Sequence, residues 1–239
     1  MSEKEYKVPS RKQPIFTPIK AILRLFYKKP KITINLAGDI ENEAIIVMNH
    51  SGKSGPMAFE LHYPKFNVKW GAHEMLGGYR SRFKYLRDVY YIQKKGYNRF
   101  IATLLAGFEA VFSKMFYRGM KFIPTYQDMR FKGTIENSLK VLDRGYTITI
   151  FPENSDEGYK EVLTEFNPGF ILLAESYKKL RKKDVPIYPV YYHLKKRKLV
   201  IGKPEYLQDV KETKSTRAEI AEHFLNRVNG LFFDYIKDN

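Results

Sequence analysis

The amino-acid sequence predicts an α/β fold: a mixed, largely parallel sheet flanked by helices. Two apolar runs, Ile45 to Met48 and Thr147 to Ile150, are rich in β-branched residues, and each ends abruptly in a polar corner. Between them and after them, segments with apolar residues at helical spacing alternate with further strand-like runs. A chain of 239 residues suffices for one α/β domain with a substantial core and is short for two. If the two runs share a parallel sheet, both corners lie at its carboxyl end, where open α/β sheets hold ligands.

Taken in order, residues 1 to 31 form a basic N-terminal arm and an amphipathic helix. Residues 1 to 14 are polar and arm-like, and from Ile15 to Phe26 the residues Ile15, Ile19, Ile22, Leu23 and Phe26 recur at helical spacing. Arg11, Lys12, Lys20, Arg24, Lys28, Lys29 and Lys31 lie on or beside that helix. Its stripe either packs on the domain or rests in an anionic membrane surface. Residues 32 to 239 form a single α/β domain. Ile32 to Leu36 reads as a strand, Gly38-Asp39 as a turn, and Ala44 to Met48 as the strand leading into Asn49-His50. Ser51 to Gly55 lacks the glycine spacing of a phosphate loop, and Pro56 opens a short helix carrying Met57, Ala58, Phe59 and Leu61.

Val68 to Ala72 is the next strand, followed by a mostly helical stretch from Phe83 to Tyr117. There Leu104, Leu105, Phe108, Val111, Phe112, Met115 and Phe116 make a wide apolar face, for which core packing is the expectation and a lipid-facing or acyl-lining surface the alternative. Lys121 to Pro124 reads as an edge strand and Ile135 to Leu142 as a helix stopped near Gly145. After Thr147 to Ile150 come the corner Phe151-Pro152-Glu153-Asn154 and a polar loop to Lys160. A helix over Ile171 to Lys183 with a basic end, strands over Val185 to Tyr191 and Leu199 to Ile201, and a closing helix from Ala218 to Ile236 complete the pattern.

Forty-two Lys and Arg against 26 Asp and Glu leave a net charge of +16, which favours an anionic partner such as lipid headgroups or the phosphates of a coenzyme. No recognisable nucleic-acid module accompanies that charge, so nucleic acid is not the expected partner. Without cysteine there is no disulfide framework and no thiolate nucleophile, and no His, Asp and Glu cluster suggests a metal. The N-terminal segment has no signal-peptide pattern, and the longest apolar stretch, Phe100 to Tyr117, is broken by Glu109, Ser113 and Lys114, so no membrane span is expected.

Asn49-His50 after one apolar strand, Phe151-Pro152-Glu153 after another and Val185 to Val190 after a basic helix resemble, in order and spacing, three of the four motif blocks of the glycerolipid acyltransferase family. That family includes the bacterial 1-acylglycerol-3-phosphate acyltransferases. Gly119 to Ile123 fits part of the second block, and Glu165 to Ala174 resembles the family's Phe-Lys-x-Gly helix start. The match runs from about Ile32 to Gly202. The resemblance implies the glycerol-3-phosphate (1)-acyltransferase-like fold, with His50 as general base. It further implies a substrate site drawn from Asn49, Ser51, Gly52, Phe151, Pro152, Glu153 and Asn154, with Glu153 on the acceptor side.

Three departures qualify what the resemblance implies. Gly55 stands where the family places the aspartate that orients the histidine, so Glu60, Glu74 or a water is expected to take that role. Pro124-Thr125 replaces Asp-Arg in the second block, and Asn154-Ser155-Asp156 replaces Gly-Thr-Arg in the third. Those arginines grip the acceptor phosphate, so an acceptor other than ordinary lysophosphatidic acid is expected. The expected function is a cytoplasmic, membrane-associated acyltransferase, peripheral on the inner face of the cell membrane. It would move a fatty acyl group from acyl-CoA or acyl carrier protein to a lipid acceptor, with no cofactor beyond that co-substrate. The alternative is a non-catalytic lipid-binding protein of the same fold.

Overall fold

Every residue of Ile45–Met48 is buried, and this strand, β2, is the centre about which the sheet is ordered. The computed structural model describes residues 6–14, 16–27, 29–52, 54–63 and 65–237. The first five residues of the arm, Ile15 and Lys28 of the amphipathic segment, and Lys53 of the glycine-rich turn lie outside the described residues. Among the described residues the strands are β1 (Ile32–Asn35), β2, β3 (Asn67–Ala72), β4 (Phe122–Thr125), β5 (Thr147–Ile150), β6 (Pro186–His193), β7 (Lys198–Ile201) and β8 (Glu205–Tyr206). They form one sheet in the order β1-β7-β6-β2-β5-β3-β4, with β8 pairing β6.

The sheet is mixed and largely parallel: β4, β3, β5, β2 and β6 run one way, while β7 and β1 run the other. Strands β3, β4 and β5 lie on one side of β2 and β6, β7 and β1 on the other, so the chain changes sides between β5 and β6. That change puts a topological switch point at the carboxyl end of β2, where open α/β sheets form a crevice. The strand period of two sends Ile45 and Val47 into one hydrophobic core and Ile46 and Met48 into the other, so helices cover both faces.

The helices are α1 (Phe16–Phe26), α2 (Ser54–His62), α3 (Tyr79–Lys84), α4 (Arg99–Gly119), α5 (Phe131–Leu142), α6 (Gly169–Arg181), α7 (Leu207–Lys211) and α8 (Arg217–Phe232). Helix α6 ends at Lys182, in the left-handed conformation, after a basic last turn that favours the helix dipole. Helix α8 starts on a capping box in which the Thr216 hydroxyl accepts from the Glu219 amide and the Glu219 carboxylate accepts from the Thr216 amide. Helix α2 begins two residues before Pro56, whose missing N–H falls in the first turn, where the helix needs none.

The stretch from Phe83 to Tyr117 differs from the expectation in two ways. It is not continuous: α3 passes into a π-helical segment, Tyr85–Gln93, then an irregular turn, and α4 begins anew at Arg99, capped by the Asn98 side chain accepting from the Ile101 amide. The expected core face also points outward. Leu104, Leu105, Phe108, Val111, Phe112 and Met115 are exposed, and the buried face of α4 is Ala102, Ala106, Ala110 and Ser113. Periodicity locates an apolar stripe but does not say which side of the helix a neighbour covers. Here the small side is covered, because Arg82 reaches from α3 to the Ala110 carbonyl and the Ser113 hydroxyl.

The three residues that interrupt the apolar run, Glu109, Ser113 and Lys114, all lie within α4. Glu109 accepts from the Tyr91 hydroxyl at 2.6 Å and Ser113 lies on the packed side. Helix α4, 21 residues long, is long and apolar enough to cross a membrane by length and composition alone. The stripe on α1 is likewise only partly covered: Phe16 packs against Gly119 at the end of α4, while Ile22 and Phe26, with neighbouring Leu25, are exposed.

Candidate active site

Strands β2 and β5 are hydrogen-bonded parallel neighbours, with Val47 opposite Ile150, so the corners that follow them meet at the carboxyl end of the sheet. The meeting is made by a side chain: the Glu153 carboxylate accepts from the backbone N–H of His50 at 2.9 Å. Burial raises the pKa of Glu153, and hydrogen bonds from the His50 and Lys160 amides, with the nearby Lys94 charge, oppose that rise. Glu153 thus fixes where His50 leaves its strand.

Asn49 ties the same corner to β6. Its carboxamide accepts from the Tyr192 amide at 2.8 Å and donates to the Tyr192 carbonyl at 3.0 Å, continuing the ladder by one side-chain rung. It also donates to the Ser51 hydroxyl at 2.7 Å, and that hydroxyl donates to the Tyr192 carbonyl at 3.0 Å. Asn49 and Ser51 are therefore committed to the frame. Through these bonds they position the turn that carries His50.

The imidazole is oriented by backbone. Ser51 and Gly52 both have positive φ, +45° and +64°, a conformation natural to glycine and uncommon for serine. The resulting curl brings the Gly52 carbonyl to 2.7 Å from His50 Nδ1. A carbonyl only accepts, so Nδ1 carries the proton and Nε2 presents its lone pair. The expected carboxylate orienters are elsewhere. Glu60 is a buried partner of Lys69 and Lys20, and Glu74 lies 3.2 Å from Nδ1 of His73.

Gly55 cannot carry the family's aspartate in this geometry. A Cβ there would sit 2.3 Å from the His50 carbonyl oxygen, a backbone atom that cannot swing aside. Gly55→Asp is accordingly expected to cost about 1–3 kcal/mol of stability through overpacking and to displace the His50 turn. Thermal unfolding checks this; a variant as stable as the parent would mean that the turn has room.

Phe151 and Tyr159 enclose the ring. Tyr159 stacks on the imidazole at 5.0 Å with planes 24° apart, and Phe151 leans on it at 5.1 Å and 60°. Tyr159 belongs to a loop held at several points. Asn154 donates to the Glu165 carboxylate at 2.8 Å, Tyr191 donates to the Glu161 carbonyl at 2.6 Å, and Asn229 bonds the backbone of Leu163 in both directions. The Pro152 carbonyl accepts from the Asn167 amide at 2.7 Å, which fixes the corner against the start of α6. Glu153, Asn154 and Pro152 thus build the corner against which His50 is set.

Tyr159 lies outside the expected set, and two further residues outside it complete the surroundings. Lys94 and Lys95 close the π-helical segment, and their ammonium groups lie 5.8 and 5.5 Å from the Tyr159 ring centroid. Lys94 also donates to the Ser155 hydroxyl at 2.7 Å. No spacing in the sequence connects them to His50. Only the polar turn at the end of a tyrosine-rich run marks them.

Burial, followed by the positive charge of Lys94, lowers the His50 pKa to about 4. The imidazole is therefore neutral at physiological pH. If His50 is the base, activity is expected to hold from neutral pH down to about 5 and to fall as pH drops through about 4, where the ring gains its proton. Lys94→Gln is expected to move that limb upward. A limb at the ordinary histidine value of about 6.5 in the parent would contradict the buried, cation-flanked setting. The same shift implies that the fold loses stability as pH falls from about 6.5 to 4, because in that window only the unfolded chain gains the proton.

Comparison of the chain with protein-family models gives no match, and neither does comparison with curated proteins.

Proposed function

We propose that this chain is an acyltransferase of the glycerol-3-phosphate (1)-acyltransferase-like fold, acting at the inner, cytoplasmic face of a membrane. The observation that carries the reading is the lock between Gly52 and His50, which leaves Nε2 as an acceptor at the switch point of a largely parallel sheet. In the proposed reaction Nε2 takes the proton of an acceptor hydroxyl or amine as that oxygen or nitrogen attacks the thioester carbonyl. The carbon–sulfur bond then breaks, and the departing thiolate of coenzyme A or acyl carrier protein recovers the proton. Backbone amides between Ser51 and Gly55 are the proposed donors to the oxyanion. The amide of Asn154 is spent on the Glu165 carbonyl at 3.1 Å and is not one of them.

The acceptor is proposed to be a lipid other than ordinary lysophosphatidic acid. Thr125, where the second-block arginine would stand, donates its hydroxyl to the Gly71 carbonyl at 3.0 Å and offers no cation. The test is mass spectrometry of lipids formed from acyl-CoA or acyl carrier protein and a panel of lyso-, amino- and glycolipids, with His50→Ala run beside the parent. A product made by the parent and absent from the variant supports the reading, and lysophosphatidic acid as the best acceptor overturns the acceptor assignment.

One observation favours a second reading. Tyr159 lies over the imidazole and, among the described residues, no carboxylate backs it, an arrangement that also suits a non-catalytic lipid-binding protein. Lipid binding with no product from any donor would select that reading.

A further inference from the structure

Helix α4 presents its large side chains to the outside. Phe100, Leu104, Phe108, Val111 and Met115 form one ridge and Ile101, Leu105 and Phe112 a second beside it, all exposed, with Phe100 at 74% and Phe108 at 72%. At 100° per residue the two ridges span about 140° of the helix and lie opposite its packed side of Ala102, Ala106, Ala110 and Ser113. A helix in a water-exposed domain carries the reverse arrangement, and an apolar face this wide marks an interaction surface. Its exposed charges are all positive and flank the apolar band: Arg99 at one end, Lys114 and Arg118 at the other. The single acid, Glu109, is turned toward the domain and bonded by Tyr91.

We infer that the outer face of α4 lies in the interface of an anionic lipid bilayer. An apolar band flanked by cations fits a surface with acyl chains beneath negative headgroups, and the basic side chains can reach those headgroups while their stems stay over apolar ground. The helix lies along the bilayer rather than through it. Its inner side is fastened to the domain by the buried Arg82, which donates to the Ala110 carbonyl and the Ser113 hydroxyl and also to the Gly77 carbonyl. The helix is also close to the proposed chemistry, because the layer it packs on carries Lys94 and Lys95, whose ammonium groups reach the Tyr159 ring over His50. A lipid acceptor drawn from the bilayer would have a short path to the imidazole. The inference rests on the proposed function only for that acceptor.

The test is flotation of the full chain with vesicles of phosphatidylcholine and phosphatidylglycerol, together with quenching of a Phe108→Trp variant by lipids brominated along the acyl chain. Trp70 is the internal control, since its ring packs on Phe131 and its N–H bonds the Ser138 hydroxyl inside the domain. The expected results are flotation weakened by salt, strong quenching of the introduced indole over the Trp70 background, and at least a tenfold weaker partition for Phe108→Ser combined with Phe112→Ser. His50→Ala is expected to float like the parent, so docking and chemistry are read separately. Absence of flotation, or flotation with the introduced indole unquenched, overturns the inference. So does a dimer in sedimentation that the double serine variant dissociates, which would make a second copy of the chain the occupant.

Discussion

His50→Ala is expected to lower the proposed acyl transfer by about 10²–10⁴-fold while leaving the fold intact. The loss should appear in kcat rather than KM, because in the proposed reaction the imidazole would move a proton in the transition state and contribute little to holding a substrate. The frame survives the substitution. Glu153 grips the backbone amide of residue 50 and Asn49 grips Tyr192, and neither contact uses the imidazole. Thiol release from an acyl thioester, followed alongside circular dichroism, measures both quantities. Turnover retained within a few-fold in a folded variant would remove His50 from the chemistry.

Glu60→Leu is expected to destabilise the protein by about 3–5 kcal/mol, a large part of the stability of a typical domain. Lys69 on β3 is fully buried, and its ammonium group is held by the Glu60 carboxylate and by the Asn67 side chain at 2.6 Å. Glu60 also pairs with Lys20, so one carboxylate joins α1, α2 and β3. Removing it strands an ammonium in a site that burial already makes hostile to charge, as the lowered Lys69 pKa reflects. Combining Glu60→Leu with Lys69→Met removes both charges and should recover most of the loss. Urea unfolding of the three variants decides. A cost below about 1 kcal/mol for Glu60→Leu alone would mean that water reaches Lys69.

The strands were legible because burial on both faces selects runs such as Ile45 to Met48 and Thr147 to Ile150, and the corners because proline and small polar residues stop such runs abruptly. That these corners meet was legible only given a parallel sheet, and the pairing of β2 with β5 meets that condition. The orienter of His50 was not legible. It is a carbonyl, present at every residue, and it becomes an orienter only through the positive φ of Ser51 and Gly52. Gly52 was the sole signal, and glycine-rich turns have many uses. The outward face of α4 was legible only as the alternative to core packing, for a different reason: an apolar period is the same whichever way the stripe faces. Tyr159, Lys94 and Lys95 reach His50 through the packing of a π-helical layer and a long loop, which no local pattern encodes.

The rung between Asn49 and Tyr192 and the clamp between Glu153 and His50 join residues 143 and 103 positions apart in the chain. Local segments can acquire helix early, but this corner must wait for loop closures of that length, and such long-range pairing slows folding. During synthesis the turn holding His50 emerges first, waits for Glu153, and remains without its partner on β6 until that strand has been made. The chain therefore gains its candidate reactive group only near the end of folding. A fragment ending before Tyr192 would keep Gly52 and Glu153 but lose the rung that ties Asn49 and Ser51 to β6.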